Sequence, residues 1–114
     1  MENISLEVKK LACEIFALSI IVTERTEYDA WCHFSGHVNS MYLYVLKKED
    51  KTDVRILDYS IDLEKEDNYV YQSDKPSYTI STIDYLENIQ KALLQLIIPN
   101  TDEIVGDAIK ILKQ

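Results

Sequence analysis

The chain has 114 residues, 46% of them hydrophobic and 28% charged, and carries a formal net charge of −8. That length and balance fit one self-sufficient folded domain over residues 1–114 and exclude a disordered chain, which could not bury enough apolar surface to offset its ordering entropy. The acidity argues against direct nucleic-acid binding, which gains affinity by setting Lys and Arg on phosphates.

The start, MENISLEVKK, lacks the basic and apolar regions of a signal peptide. No stretch approaches the ~18 apolar residues that a membrane span needs. Cys13 and Cys32 are the only cysteines, too few for a disulfide framework. These features together predict a reduced, cytoplasmic protein with no membrane association.

Ile4, Val8, Leu11, Ile15, Leu18 and Val22 step by four and three, so they share one face of a first helix. Asn3 or Ser5 can cap its start, and Glu7 suits the positive end of the helix dipole. The β-branched run Ile20–Thr23 leaves its end open: the helix frays near residue 20, or the chain turns extended there.

Two strands follow. In YDAWCHFSG, Ala30, Cys32 and Phe34 share one face, and Trp31, His33 and Ser35 share the other. In MYLYVLK, Met41, Leu43 and Val45 alternate with Tyr42 and Tyr44. With Gly36–Asn39 as the loop, Phe34 pairs with Met41, Cys32 with Leu43, Ala30 with Val45, His33 with Tyr42, and Trp31 with Tyr44. This register puts small and apolar residues on one side and the aromatic and His residues on the other. A slip of one residue would mix the two sets.

DVRILDYSIDL reads as a third strand. Its apolar parity changes near Ile56 and Leu57, which predicts a bulge, a bend, or cover on both faces. NYVYQ reads as a short fourth strand at the sheet edge, and Pro76 as a turn. Ser81 with Asp84 resembles a capping box ahead of a helix with Leu86, Ile89, Leu93, Leu96 and Ile97 on its apolar face. Pro99 ends that helix. Asn100 and Glu103 can cap a last helix that buries Ile104, Val105, Ala108, Ile109 and Leu112; Gly106 weakens it by about 1 kcal/mol relative to alanine.

The expected fold is α+β. An N-terminal helix precedes a three- to four-stranded antiparallel meander, and two C-terminal helices follow. The helices pack on the sheet face of Ala30, Cys32 and Phe34. The helix–strand–strand–strand–helix order resembles the double-stranded-RNA-binding domain in topology. That family holds phosphate with a basic helix start and a basic loop. Neither is present here, so RNA binding is not carried over.

Catalytic and metal chemistry find little support in the residues. Four strand residues separate His33 from His37 by ~13 Å, too far to share one ion with bonds of ~2 Å. Cys32 adjoins His33 but faces the other way, and a thiol among apolar neighbours is inert. The carboxylates Asp58, Asp62, Glu64, Glu66 and Asp67 lie in a polar stretch, without the burial that raises a pKa for acid–base work. Two glycines cannot build a phosphate cradle. No catalytic residue, metal or cofactor is therefore assigned.

Trp31, His33, Tyr42 and Tyr44 form the best candidate site. Such side chains bury large area while keeping a polar tip, as interfaces require. The competing reading is that a helix covers them as a second core layer. Tyr69, Tyr71 and Tyr78 could extend the patch.

The expected function is that of a small acidic protein-interaction module without catalysis, of inhibitor, immunity or anti-defence type. A Lys-, Ile-, Asn- and Tyr-rich composition suits a bacterium or its mobile elements. The aromatic face would anchor a partner with a basic surface, and Asp58, Asp62, Glu64, Glu66 and Asp67 would steer it. A homodimer through the aromatic face is a variant. One alternative is a small-molecule binder or enzyme at the hairpin tip around His33, His37 and Asn39. Another is an acidic mimic of nucleic acid.

Overall fold

Ser5 starts the first helix: its hydroxyl accepts from the Val8 N–H at 3.2 Å. In the computed structural model, which describes residues 4–49, 52 and 54–98, helix α1 then runs unbroken over Leu6–Arg25. The β-branched run neither frays nor turns extended. Val22 is fully buried, and burying such a side chain contributes about 2 kcal/mol, more than the few tenths that β-branching costs a helix. Beyond Arg25 the helix is stopped by Thr26, whose N–H and hydroxyl both donate to the Val22 carbonyl.

Strands β1 (Tyr28–Ser35) and β2 (Ser40–Lys47) pair in the expected register, with Trp31 opposite Tyr44 and His33 opposite Tyr42. Asn39 closes the loop at φ 52°, a left-handed conformation that Asn tolerates better than most residues. Its carbonyl accepts from the Leu63 N–H at 3.0 Å, tying the loop to the end of the third strand. Strand β3 (Arg55–Asp62) pairs with β2, so the sheet order is β1-β2-β3. Val45 faces Leu57 while Leu46 faces Arg55, which makes Ile56 the extra residue of a bulge. The parity change in the sequence marks this bulge.

The fourth strand is a correction. Strand β4 (Asp67–Val70) does not extend the sheet edge. It pairs with β5 (Tyr78–Ser81) in a separate two-stranded sheet. The cause is Asn68, which is buried. Its Oδ1 accepts from the Asp62 N–H at 2.8 Å, and its Nδ2 donates to the Asp62 carbonyl and the Thr82 hydroxyl. These bonds fold the chain back just after β3.

Helix α2 (Thr82–Ile97) is capped by Ser81, whose hydroxyl accepts from the Asp84 N–H at 3.1 Å. Two helices stand among the described residues against the three expected. The last one, over residues 100–112, lies outside them. The helix–three-strand–helix order holds, with the β4–β5 hairpin inserted before α2.

Both helices pack on the Leu43 side of the sheet. The core joins Val8, Ile15 and Val22 of α1, Met41, Leu43 and Val45 of β2, Ile61 of β3, and Leu86, Ile89 and Leu93 of α2. Val8 adjoins Thr82 and Ile83, and further along Gln90 bonds to Glu14, so the two helices run side by side in the same direction. Phe34 departs from expectation. It lies on the core side of the pleat yet is 58% exposed.

Tyr85 meets Tyr59 edge-on at 6.0 Å. Burial, reinforced by the charges of Tyr78, Tyr59 and Asp58, pushes its phenol up to about 12. An unfolded tyrosine ionises near ~10. The fold therefore holds a proton that the unfolded chain releases first. This contribution to stability is complete below pH ~10 and is lost as pH rises towards ~12. Urea midpoints measured across that window should fall, and Tyr85→Phe should flatten the fall. An equal slope in the variant would assign the alkaline loss to other groups.

Candidate docking face

Side chains alternate across a strand, so the register that buries Leu43 turns Tyr42 and Tyr44 to the opposite face. β1 adds Trp31 and His33 there, and β3 adds Arg55 and Asp58. The structure brings the four expected residues together. Trp31 and Tyr44 lie with ring centroids 6.0 Å apart and planes 7° from parallel. His33 is 6.3 Å from each of them, at 13° to Trp31 and 20° to Tyr44. Tyr42 is tilted by 53° against Tyr44 at 5.6 Å. Both described helices lie on the other side of the sheet, and Trp31 is 47% exposed. Among the described residues, no helix makes this face a second core layer.

Arg55 is the residue that sequence reasoning missed. Its guanidinium carbon lies 4.1 Å from the Tyr44 centroid and 5.6 Å from that of Tyr42, within cation–π range. It donates to the Tyr42 hydroxyl and, at 3.4 Å, to the Asp58 carboxylate. The Ile56 bulge sets Arg55 opposite Leu46, on the face of Tyr42 and Tyr44. Locating that bulge to the residue would have found it. The Tyr42 phenol is held above its ordinary value chiefly by its hydrogen bond to Asp58, then by desolvation and the Asp58 charge; Arg55 works the other way.

The five carboxylates have separate surroundings. Asp58 belongs with the rings. Asp62 accepts from the Glu64 N–H at 3.1 Å and lies 3.9 Å from the Lys65 ammonium. Glu64 accepts from Asn39 Nδ2 at 3.2 Å. Glu66 and Asp67 are exposed at the entry to β4. Tyr69, Tyr71 and Tyr78 are exposed on the β4–β5 hairpin, in the other sheet.

The hairpin tip is less organised. Asn39 is buried and turned to Glu64, His37 is exposed in the loop, and His33 stacks with Trp31. Burial pushes the Cys32 thiol up, against a hydrogen bond with Ser19 that lowers it. Among the described residues, no three His, Cys, Asp or Glu side chains converge as metal ligands would. No described helix is long and apolar enough to cross a membrane. No family model, curated protein or solved structure matches the chain.

Proposed function

We propose that this protein is a small acidic, cytoplasmic interaction module of inhibitor or immunity type. It acts without catalysis, by docking Trp31, His33, Tyr42 and Tyr44 on the basic surface of another protein. The observation that supports this most is the array of rings on the sheet face that neither described helix covers, with Trp31 and His33 exposed and Arg55 over Tyr44. Rigid aromatic side chains lose little conformational entropy on binding and supply large contact area. The formal charge of −8 speeds encounter with a basic partner and opposes an acidic one.

The test is affinity purification from the native host with the natural chain and a Trp31→Ala/Tyr44→Ala variant in parallel. A stoichiometric basic partner should bind the first and be lost from the second, with circular dichroism unchanged between them. Retention by the folded variant would contradict the reading. Displacement of the partner by DNA or RNA would favour a nucleic-acid mimic instead.

A further inference from the structure

Among the described residues, the backbone of β1 is protected along only part of its outer edge. The Ala30 N–H donates to Thr23 Oγ1 at 3.0 Å, and the Ala30 carbonyl accepts from the same hydroxyl at 3.4 Å. Ala30 therefore points its backbone away from β2. Direction alternates along a strand, so Cys32 and Phe34 point outward too. Thr26 likewise accepts from the Tyr28 N–H at 3.1 Å. Among the described residues, none bonds to the outward backbone groups of Cys32 and Phe34.

The two edges of the sheet differ. β3 carries the Ile56 bulge and the charges of Arg55, Asp58 and Asp62, features that discourage pairing with a foreign strand. From Ala30 to Ser35, β1 has no formal charge, proline or bulge. Beside it run two grooves of about 320 Å³ each, which share Phe16 and Cys32. Phe34 and Met41 line the first, and Ile20 and Ala30 the second. Phe16 is 51% exposed and Ile20 49%.

We propose that β1 pairs antiparallel with β1 of a second copy about a two-fold axis at His33, joining two three-stranded sheets into one. This surface is not the aromatic face, and the inference does not depend on the function proposed above. The register follows from the unprotected groups. Cys32 faces the partner's Phe34, and Phe34 faces the partner's Cys32. Each pair exchanges two hydrogen bonds. His33 then meets the partner's His33 in a non-hydrogen-bonded pair, with Cα atoms ~4.5 Å apart. A shift of two residues towards Ala30 would aim the bonds at groups that Thr23 already holds.

The shape of the seam is self-complementary. α1 crosses the sheet obliquely, with Thr23 at Ala30 but Ile4 beside Met41 and Leu63. Its N-terminal half thus uncovers Phe34, the end at which the partner's helix reaches furthest over its own edge. Phe16 and Phe34 each leave about half of a side chain of roughly 150–250 Å² to be covered. In two copies these exposed parts come to roughly 300–500 Å², and Ile20, the groove walls and the strand edges add to them towards the ~1,000 Å² at which specific interfaces begin. Lys9 and Glu24 are the charged residues lining the grooves, so the net negative charge is not concentrated at the seam. The pairing also sets the two aromatic faces side by side across the His33 pair.

Light scattering and sedimentation of the full chain at roughly 10–100 μM should give twice the mass of 114 residues. Phe34→Lys should halve it and leave the circular dichroism unchanged. In a Cys13→Ser/Cys32→Ala background, His33→Cys should form an interchain disulfide on mild oxidation. Ser35→Cys should not, because its two copies lie ~13 Å apart in this register. A monomeric mass up to ~1 mM would overturn the proposal, including in favour of a strand from a different protein. So would a dimer that persists in folded Phe34→Lys, or one that crosslinks as well at Ser35→Cys as at His33→Cys.

Discussion

Leu43→Ala is expected to remove about 3–4 kcal/mol of folding stability, whereas Tyr44→Ala, one residue further on, removes about 1 kcal/mol or less. Leu43 is fully buried on the central strand, beneath both helices. Truncating it loses the transfer energy of its side chain and leaves a cavity that two helices and a sheet cannot collapse into. Tyr44 stands on the other side of the same pleat, half-buried, with Arg55 across its ring and Trp31 beside it. It loses stacking and cation–π contacts that are weak where water reaches them. Urea unfolding separates the two. For a domain of this size each kcal/mol moves Tm by about 4–8 °C, so Leu43→Ala should melt more than 10 °C lower. Equal losses at the two positions would mean that the Tyr44 face is also a packed core.

Asn68→Ala should cost about 3 kcal/mol, a large effect for a polar substitution. The buried amide joins three elements. It satisfies both backbone groups of Asp62 at the end of β3, and it donates to Thr82 at the start of α2. Thr82 passes the connection on, donating from its hydroxyl to the Lys65 carbonyl and from its N–H to the Glu66 carbonyl. Alanine leaves buried donors and acceptors without partners, at about 1–3 kcal/mol for each group that water cannot reach. Thr82→Val should cost less, since the backbone bond to Glu66 survives. The double substitution should cost less than the two singles summed, because both break one network. Additive losses in chemical denaturation would show that Asn68 and Thr82 act independently.

These two sites also mark what was legible in the sequence. The β1–β2 register could be read because the small and apolar residues share one parity and the aromatic residues the other, and a slipped register mixes them. The face on which Trp31, His33, Tyr42 and Tyr44 meet followed from that register. The α1 stripe could be read from its period, but its end could not, because burial of Val22 against the core is a long-range term. The β4–β5 hairpin was hidden for a related reason. It depends on Asn68 reaching Asp62 and Thr82, and one buried amide leaves no periodic trace. Arg55 was hidden by the bulge, since one extra residue at Ile56 decides which face it joins. The exposure of Phe34 depends on the angle at which α1 crosses the sheet, which no local pattern encodes.

Trp31 is the only tryptophan in the chain and belongs to the proposed docking face, beside His33 and Tyr44. The most direct test is therefore to label the protein with fluorotryptophan, which gives a single ¹⁹F resonance, and to titrate in the purified partner. The free protein should give a solvent-exposed signal that shifts and broadens to saturation at the stoichiometry of binding. A resonance that stays in place while the partner is fully bound would put the contact elsewhere and contradict docking through this face.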